Sequence, residues 1–241
     1  MDDAAAALPA AGSRLPLEAF PALPALPRRR PWRAEPHRPI SAVYVAKVIE
    51  DRVLAVLFLA MASPLLLLIA VAIKLDSPGP VLFRQMRLGF NDRLIEVLKF
   101  RTMRVESQDA TAARLATRDD PRVTRIGRVL RRLSLDELPQ LWNVLRGDMS
   151  IVGPRPHALH AKAADLLYHE VVQNYAARHR VKPGITGWAQ VNGWRGETDT
   201  VEKIQRRVEH DLAYIENWSL AFDLRIILLT FVFGFVHKNA Y

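Results

Sequence analysis

Cysteine is absent from this chain of 241 residues, and aromatic residues make up only 8% of it. Without cysteine there can be no disulfide framework, no cysteine-ligated zinc or iron–sulfur cluster and no thiol nucleophile. The sequence also lacks a Walker A loop, a GxGxxG loop and an HExxH motif. His157 and His160 have helical spacing but no third ligand accompanies them, so we do not expect a histidine metal site.

Negative charge is in the minority, since 25 Asp and Glu stand against 34 Lys and Arg and give a formal net charge of +9. The excess of basic residues predicts an anionic partner, which by composition alone is nucleic acid, acidic lipid or a phosphorylated substrate. With 50% apolar residues, the chain is too hydrophobic to be disordered throughout. Its length suits one domain with attachments.

Residues 1–40 differ in composition from the rest of the chain. They contain eight of the sixteen prolines and show no apolar periodicity, which predicts a disordered Pro/Ala-rich tail. The tail carries the basic run Arg28, Arg29 and Arg30. This run fits either contact with anionic lipid headgroups or a solvated linker, and both interpretations stay open.

One long hydrophobic run is present at 53–73, which contains no charged residue and is framed by Arg52 and Lys74. At about 1.5 Å per residue it is just long enough to cross a hydrocarbon core of roughly 30 Å. Ser63 and Pro64 lie halfway, where proline removes a backbone hydrogen bond, so we expect a bend. Either a kinked helix spans the bilayer or a broken helix enters and returns. The basic flanks on both sides favour re-entry.

The pattern predicts a membrane helix region at 41–76 and a mostly helical α+β region at 77–241. Short strands at 81–83 and 94–100 flank a turn and read as a hairpin. Helical periodicity or composition is found at 122–133, 134–146, 158–180 and 201–215. The helix at 122–133 is basic and amphipathic, and the apolar stretch at 226–236 is too short to span a bilayer. We therefore expect interfacial amphipathic helices around the domain.

Ser134, Asp136 and Glu137 form the densest polar group in an apolar setting. One interpretation is structural, because Ser134 followed three residues later by Glu137 is a capping box with Asp136 in the first turn. The other is catalytic. Neighbouring helical residues point about 100° apart, so one carboxylate can face a reacting phosphorus while the other faces a divalent cation. The two interpretations are compatible with each other.

Phosphoryl chemistry also needs cations, and the candidates are Lys99, Arg101, Arg131 and Arg155. Lys99 and Arg101 are two residues apart at the end of the second hairpin strand, which predicts that they share a face. Arg155 lies between two prolines that restrict its backbone. Each of these residues, taken singly, is also compatible with an ordinary solvated surface charge.

Four stretches of the chain carry a family resemblance. They are KFRTM at 99–103, SLDELPQLWNVLRGDMSIVGPRP at 134–156, VKPGITGWAQVNGWRGET at 181–198 and DLAYIENWSLAFDLRII at 211–227. With Ser63 and Pro64, they resemble the bacterial sugar transferases, the monotopic polyprenyl-phosphate phosphoglycosyl transferases. The closing NWSLAFDLRII and KNAY look most like members that handle glucose 1-phosphate in exopolysaccharide assembly.

The resemblance implies transfer of a hexose 1-phosphate from a UDP-sugar to undecaprenyl phosphate, with Mg2+ as cofactor and UMP as product. It implies that Asp136 is a nucleophile that forms a covalent phosphosugar intermediate, and that Glu137 is its metal-binding neighbour. It further implies phosphate contacts by Arg155 and Lys99, and a charged pair of Arg131 with Asp211 beside the site.

The resemblance also bears on topology. Ser63 and Pro64 match the helix break that makes the membrane helix of the family re-entrant. The soluble parts would then all lie on the cytoplasmic face of the bacterial inner membrane, against an anionic lipid surface.

Other functions remain open from the sequence. The arginine-rich helix at 122–132 would also suit a membrane-tethered nucleic-acid-binding protein, although that reading gives no reason for the Asp136–Glu137 pair, so we expect no nucleic-acid partner. A non-catalytic membrane scaffold is the second alternative. Glucose is the favoured donor sugar and galactose the alternative. We expect Arg195 and Glu197, beside Trp194, to contact the sugar or the nucleotide, and a homo-oligomer stays open.

Overall fold

The structure is a computed structural model that describes residues 42–107, 120–158, 162–163, 166–196 and 200–234. The predicted tail at 1–40 lies outside these residues, as do His160, Glu197 and the end of the predicted 226–236 helix. The described chain is mostly helical and has three pairs of short strands. The prediction of a mostly helical α+β chain with a small hairpin is therefore confirmed.

Helix α1 (Ala42–Asp76) contains the predicted hydrophobic run, and its 44–76 portion is apolar and long enough to cross a membrane. Near its start, the buried Asp51 carboxylate accepts hydrogen bonds from Ser150 Oγ and the Ile151 amide, both at 2.9 Å. At its end, the Asp76 carboxylate accepts one from the Ile126 amide at 3.3 Å. Both ends of α1 are thus attached to the same body.

The middle of α1 differs from its ends because large apolar side chains are exposed there. Met61 is 78% exposed, and Leu67 and Leu68 are each 67% exposed. By contrast, Ala55 on the first half and Ile73 on the second half are buried against neighbouring elements. The central turns therefore present an unpartnered apolar surface between two packed ends.

Helix α1 continues through Ser63 and Pro64, so the chain stays helical at these residues, and the bend expected there stays a prediction. Pro64 has no amide hydrogen to donate to the carbonyl of Ala60, one turn earlier. The Ser63 hydroxyl donates to that carbonyl instead, at 2.8 Å. This side-chain hydrogen bond satisfies the carbonyl that the proline leaves without a backbone donor, and bonds of this kind often accompany a bend in a helix.

Strands β1 (Leu82–Leu88) and β2 (Leu94–Phe100) form the predicted antiparallel hairpin. The first strand extends beyond the predicted 81–83 because its later residues also pair with β2. The hairpin turn contains Asn91 and Asp92, both with left-handed backbone at φ 51° and 58°. These residue types tolerate that conformation, as the turn prediction required.

Helix α2 (Arg125–Leu133) begins where Thr124 accepts a hydrogen bond from the Gly127 amide, three residues later than predicted. It packs so closely on the segment after β2 that a Cβ at Gly127 would collide with the Thr102 carbonyl. A short 3-10 turn (Leu135–Glu137) follows, then helix α3 (Gln140–Arg146), which ends at Gly147 with φ 87°. The predicted single helix at 134–146 is thus a turn and a helix.

Strands β3 (Ser150–Val152) and β6 (Gly184–Thr186) pair in parallel. The helix predicted at 158–180 is wrong. The structure instead has strands β4 (Lys162–Ala163) and β5 (Leu166–Leu167), the one-turn helix α4 (Tyr168–Val171) and a 3-10 segment (Tyr175–Arg180). Asn174 has a left-handed backbone at φ 61°, which interrupts a helix between α4 and the 3-10 segment.

Three further helices complete the described chain: α5 (Trp188–Val191), α6 (Val201–Glu216) and α7 (Leu220–Gly234). Helix α6 was predicted at 201–215 and is confirmed. The main core joins α1, α3, β3, α5 and α7 through buried apolar side chains that include Ala55, Leu141, Val152, Trp188 and Ile226. A second cluster packs Tyr168 and Tyr175 against Ile204 and Val208 of α6. A third cluster, which includes Ile73 and Phe100, packs against Leu135 of the 3-10 turn at 135–137.

Candidate active site

A residue with left-handed backbone, Ser134, directly precedes the 3-10 turn at 135–137, here called the carboxylate turn. Ser134 has φ 55° and ψ 23° and ends α2, its amide donating to the Arg131 carbonyl. The Ser134 side chain does not cap the following turn, so the capping-box interpretation is wrong. Its hydroxyl accepts a hydrogen bond from Arg195 instead. Ser134 therefore links the carboxylate turn to the loop after α5.

Glu137 is buried and is ion-paired through both of its carboxylate oxygens. Arg155 donates from Nη1 to Oε2 at 2.9 Å and from Nη2 to Oε1 at 2.5 Å. Lys99 Nζ donates to Oε1 at 2.8 Å. Burial opposes ionisation of Glu137, but Arg155 and Lys99 overcome it and hold the pKa of this carboxyl well below its usual range. Glu137 is therefore ionised at neutral pH.

Asp136 has the opposite shift. Burial raises the pKa of Asp136, and the neighbouring charge of Glu137 raises it further, while Lys99, Arg131 and Arg155 act in the other direction. Of the two carboxylates, Glu137 is thus neutralised by Arg155 and Lys99, whereas Asp136 is more basic than an ordinary aspartate. A more basic carboxylate is the better nucleophile of the two.

Lys99 and Arg155 are held over the turn by the elements that carry them. Lys99 is the penultimate residue of β2 and pairs in register with Phe83. The carbonyl of Arg155 accepts a hydrogen bond from Arg178 Nη2 at 2.6 Å, and the next carbonyl, at Pro156, accepts one from Arg87. The stiff backbone predicted for Arg155 therefore has side-chain support as well as flanking prolines.

Arg131 and Arg195 also lie beside the carboxylate turn. Arg131 Nε donates to Thr102 Oγ1 at 2.9 Å, and its charge lowers the pKa of Asp136. Burial and the charge of Arg155 lower the pKa of Arg195, while Glu137 and Asp136 act in the other direction. Both arginines are near enough to the carboxylates to contribute to the local potential.

Arg101 is not among these cations, which corrects the prediction that it shares the site with Lys99. Strand β2 ends at Phe100, so the alternation of side chains does not continue to Arg101. Its guanidinium is buried and donates to the carbonyls of Ser77, at 2.6 Å, and of Pro78 just beyond α1. Carbonyls at the end of a helix lack intrahelical donors, so Arg101 has a structural role there.

Asp211 does not pair with Arg131. The charged pair that the resemblance implied beside the site is therefore wrong. Its Oδ2 accepts from Arg178 Nε at 3.0 Å and from Arg178 Nη2 at 2.6 Å. Both residues are almost completely buried. Asp211 therefore lies behind the loop that carries Arg155 and stabilises the guanidinium that holds this loop.

Sequence reasoning missed Arg87, Arg178 and Arg207. Burial and repulsion by Arg155 lower the pKa of Arg87 to about 10, while the Glu137 charge opposes this shift. An isolated arginine is usually a surface charge, so composition gave no reason to select Arg87 and Arg178. Arg207 had a detectable signal, because Arg207 and Asp211 are four residues apart at the edge of the apolar stripe of α6.

Two adjacent carboxylates, Asp136 and Glu137, lie at the carboxylate turn, where the resemblance implies a magnesium ion. Mg2+ in phosphoryl-transfer sites is bound by one or two carboxylates together with substrate phosphates. Asp136 and Glu137 offer such carboxylates, whereas no group of three metal-binding side chains is found among the described residues. A site of this kind would hold the ion only together with a phosphorylated substrate.

Comparisons with known proteins find a matching family model and several relatives. Residues 42–237 match the family model described as bacterial sugar transferase. An Escherichia coli (strain K12) protein named UDP-glucose:undecaprenyl-phosphate glucose-1-phosphate transferase is 56% identical over 204 residues, which are 84% of this chain and 43% of that protein. A Caulobacter vibrioides protein of the same name is 51% identical over 203 residues, 84% of this chain and 74% of that protein.

A third relative, the exopolysaccharide production protein PSS of Rhizobium leguminosarum bv. phaseoli, is 51% identical over 174 residues. These are 72% of this chain and 87% of that protein. The chain spans less than half of the Escherichia coli relative but most of the other two. The family match covers α1, the carboxylate turn and the loops around it, so this chain belongs to the bacterial sugar transferase family.

Proposed function

We propose that this chain transfers glucose 1-phosphate from UDP-glucose to undecaprenyl phosphate and releases UMP. The observation that carries the proposal is the carboxylate turn, where the more basic Asp136 lies beside Glu137 and a group of cations. The names of the relatives at 51–56% identity support the choice of substrates. A chain that only bound lipid would have no need for this buried arrangement of charges.

In the first step, an Asp136 carboxylate oxygen attacks the phosphorus that bears the sugar. A bond forms between this oxygen and phosphorus, and the bond from phosphorus to the bridging oxygen breaks, so UMP leaves with the electron pair. The product on the protein is an acyl phosphate that carries the sugar. In the second step, an oxygen of undecaprenyl phosphate attacks the same phosphorus and regenerates the Asp136 carboxylate.

The cations of the site stabilise the charge that develops on the phosphate oxygens. Lys99 and Arg155 are preorganised by their ion pairs with Glu137, at 2.8 and 2.5 Å, so little reorganisation is needed when substrate arrives. Arg131 and Arg195 add positive charge around Asp136. Removing one preorganised donor of this kind typically costs about 10²–10³-fold in rate.

Asp136 and Glu137 would hold Mg2+ together with oxygens of the UDP-sugar diphosphate. When bound, the ion supplies positive charge that offsets the repulsion between the diphosphate and an attacking carboxylate. Glu137 keeps its negative charge at neutral pH because Arg155 and Lys99 hold its pKa low. Both of its oxygens already accept hydrogen bonds from Arg155 and Lys99, so a bound cation would share Glu137 with these two side chains.

The attachment of α1 supports a re-entrant topology on one face of the membrane. If α1 crossed the bilayer, the protein attached to its two flanks would have to lie on opposite faces of the membrane. Here Asp51 and Asp76, near the two ends, bind the main-chain amides of Ile151 and Ile126 in one body. The exposed apolar turns around Met61 would enter the lipid from the side that carries this body.

The outer faces of α2 and α7 extend this lipid-facing surface. Helix α2 exposes Val129 and Leu133 next to Arg125, Arg128 and Arg132. Helix α7 exposes Leu224, Leu228, Phe231 and Val232. Apolar side chains flanked by arginines suit the interface of a membrane with anionic lipids. A soluble nucleotide sugar and a lipid phosphate could then meet at the carboxylate turn on the cytoplasmic face.

A comparison of donors tests the proposal. The intact protein in detergent micelles is given undecaprenyl phosphate and Mg2+ with either UDP-glucose or UDP-galactose, and the sugar-linked lipid product is measured. We expect a product from UDP-glucose, which would make the chain an initiating enzyme of exopolysaccharide assembly. A product from UDP-galactose alone would change the donor, and none from either would favour a non-catalytic scaffold.

A further inference from the structure

Two guanidinium groups are buried directly behind the loops that carry the active-site arginines. Arg178, in the 3-10 segment at 175–180, is 1% exposed, and Arg207, on α6, is 4% exposed. Burying a guanidinium is costly unless its donors are satisfied. Arg178 is satisfied by Asp211 and by the Arg155 carbonyl. Arg207 needs a separate explanation, because the Asp211 carboxylate is already engaged.

Arg207 uses its guanidinium to hold the main chain on both sides of Arg195. Its Nε donates to the Trp194 carbonyl at 2.9 Å, and its Nη2 donates to the Gly196 carbonyl at 2.7 Å. The residue between these two carbonyls is Arg195. Two bonds from one planar group fix both the position and the orientation of this short segment.

Arg195 then connects this segment to the carboxylate turn. Its guanidinium donates to the hydroxyl of Ser134, the left-handed residue that directly precedes the turn. Arg195 also lies close enough to Glu137 and Asp136 for their charges to act on it. The chain of contacts therefore runs from Arg207 through the backbone of Arg195 to the residues that carry the reaction.

The surroundings of Arg207 keep it charged and in place. Burial and the charge of Arg155 lower the pKa of Arg207 to about 10, so it remains protonated at neutral pH. His157 Nε2 lies 3.4 Å from Arg207 Nη1, and burial together with Arg178 and Arg207 holds the pKa of this histidine well below its usual range. A neutral imidazole adds no repulsion between the two guanidinium groups.

We propose that Arg207 is a positioning residue for substrate binding, which holds Arg195 against Ser134 and beside the Asp136–Glu137 pair through the Trp194 and Gly196 carbonyls. Arg207 itself does not contact the substrate. The anion that Arg195 meets would be a phosphate oxygen of the UDP-sugar. This inference rests on the proposed function for its substrate but not for its geometry.

The kinetic test compares Arg207→Ala with Arg206→Ala. Arg206 is the adjacent arginine on α6, is exposed, and its side chain pairs with Glu209. We expect Arg207→Ala to raise the KM for UDP-glucose about tenfold, the effect of losing one charge-assisted contact, with a smaller change in kcat. Arg206→Ala should match the unaltered protein. Equal KM values for both variants would overturn the inference.

A double-mutant cycle separates positioning from general destabilisation. If Arg207 acts through Arg195, Arg207→Ala should change KM by less than about twofold in an Arg195→Ala background. If Arg207→Ala still raised KM about tenfold in the Arg195→Ala background, the inference would be overturned. Should Arg207→Ala fold poorly, Arg207→Lys keeps a charge near Asp211 but cannot reproduce the planar two-point contact, and the same dependence on Arg195 is expected.

Amide hydrogen exchange tests the geometry without activity. The Trp194 amide donates to the Ala189 carbonyl at 3.0 Å, so its exchange reports on the segment that Arg207 holds. We expect faster exchange at 193–196 in Arg207→Lys than in Arg206→Lys, while the interior of α6 is unchanged. Equal exchange would overturn the inference. Failure of the unaltered protein to release UMP from any donor would instead reject the proposed function.

Discussion

Arg155 and Glu137 form a two-point ion pair, with Nη1 to Oε2 at 2.9 Å and Nη2 to Oε1 at 2.5 Å. The geometry requires a planar guanidinium, which a lysine cannot provide. Lys99 binds the same carboxylate at 2.8 Å and completes a compact group of charges under Asp136. Glu137 thus acts as an anchor for the cations that would receive the phosphate.

Replacement of Arg155 tests this anchor. Arg155→Lys keeps a positive charge but loses the two-point contact, so we expect kcat/KM for UDP-glucose to fall by roughly 10- to 100-fold. The matched control is Arg146→Lys, because Arg146 is exposed at the end of α3. Steady-state UMP release measures both variants. A loss of the same size in the control, or no loss at Arg155, would contradict the assigned role.

The pH dependence of the reaction should report on Asp136. Asp136 must be ionised to attack phosphorus, and burial raises its pKa, so kcat/KM should rise with pH through this raised value. Lys99 lowers the pKa of Asp136, and removing its charge raises this pKa further. Lys99→Met should therefore move the acid limb of the pH–rate profile to higher pH.

The control for this shift is Arg84→Met, since Arg84 lies on β1 and its side chain is 65% exposed. We expect its acid limb to stay where it is in the unaltered protein. An acid limb of Lys99→Met that stays in place or moves to lower pH would show that Lys99 does not act on the nucleophile.

Arg101 should matter for stability rather than for substrate affinity. Arg101→Met removes the charged donors that bind the carbonyls of Ser77 and Pro78, which follow α1. We expect the free energy of unfolding to fall by about 2 kcal/mol, measured by thermal unfolding in detergent. The KM for UDP-glucose in the folded fraction should not change. An increased KM with unchanged stability would return Arg101 to the substrate site.

The hairpin and α6 could be predicted because their signals are local. Strand alternation and an Asn-Asp turn specify β1 and β2, and the apolar spacing of Ile204, Val208 and Leu212 specifies α6. The helix predicted at 158–180 is wrong because its apolar spacing resembles that of a helix. Tyr168, Val172 and Tyr175 have the spacing of a helical face and are buried together, yet the backbone between them is not a continuous helix.

The candidate site was predictable where charge accompanies an unusual local sequence. Asp136 and Glu137 are adjacent carboxylates in an apolar segment, and Arg155 lies between prolines. Arg178 has no such local mark, because its role depends on the Arg155 carbonyl, which lies on another loop. The spacing of Arg207 and Asp211 marks Arg207 but does not indicate the Trp194 and Gly196 carbonyls that Arg207 holds. The pair of Arg131 with Asp211 was implied by the resemblance, whereas the packing of α6 on the 3-10 segment brings Arg178 to Asp211.

Single cysteines can test the proposed topology without background, because the chain contains none. Val45→Cys lies on the exposed surface near the start of α1, and Arg84→Cys lies beyond its end on β1. A re-entrant α1 predicts that a membrane-impermeant maleimide labels both positions from the cytoplasmic face of the membrane. Labelling of the two positions from opposite faces would show that α1 spans the bilayer.

The central claim is that Asp136 is the nucleophile of a phosphosugar transfer to lipid. The most direct measurement is UMP release from UDP-glucose, with undecaprenyl phosphate and Mg2+, by the intact protein and by Asp136→Asn. The account predicts lipid-dependent release that falls by about 10⁴-fold or more in the variant, because an amide cannot form the acyl phosphate. Release by Asp136→Asn at a rate close to that of the intact protein would contradict it.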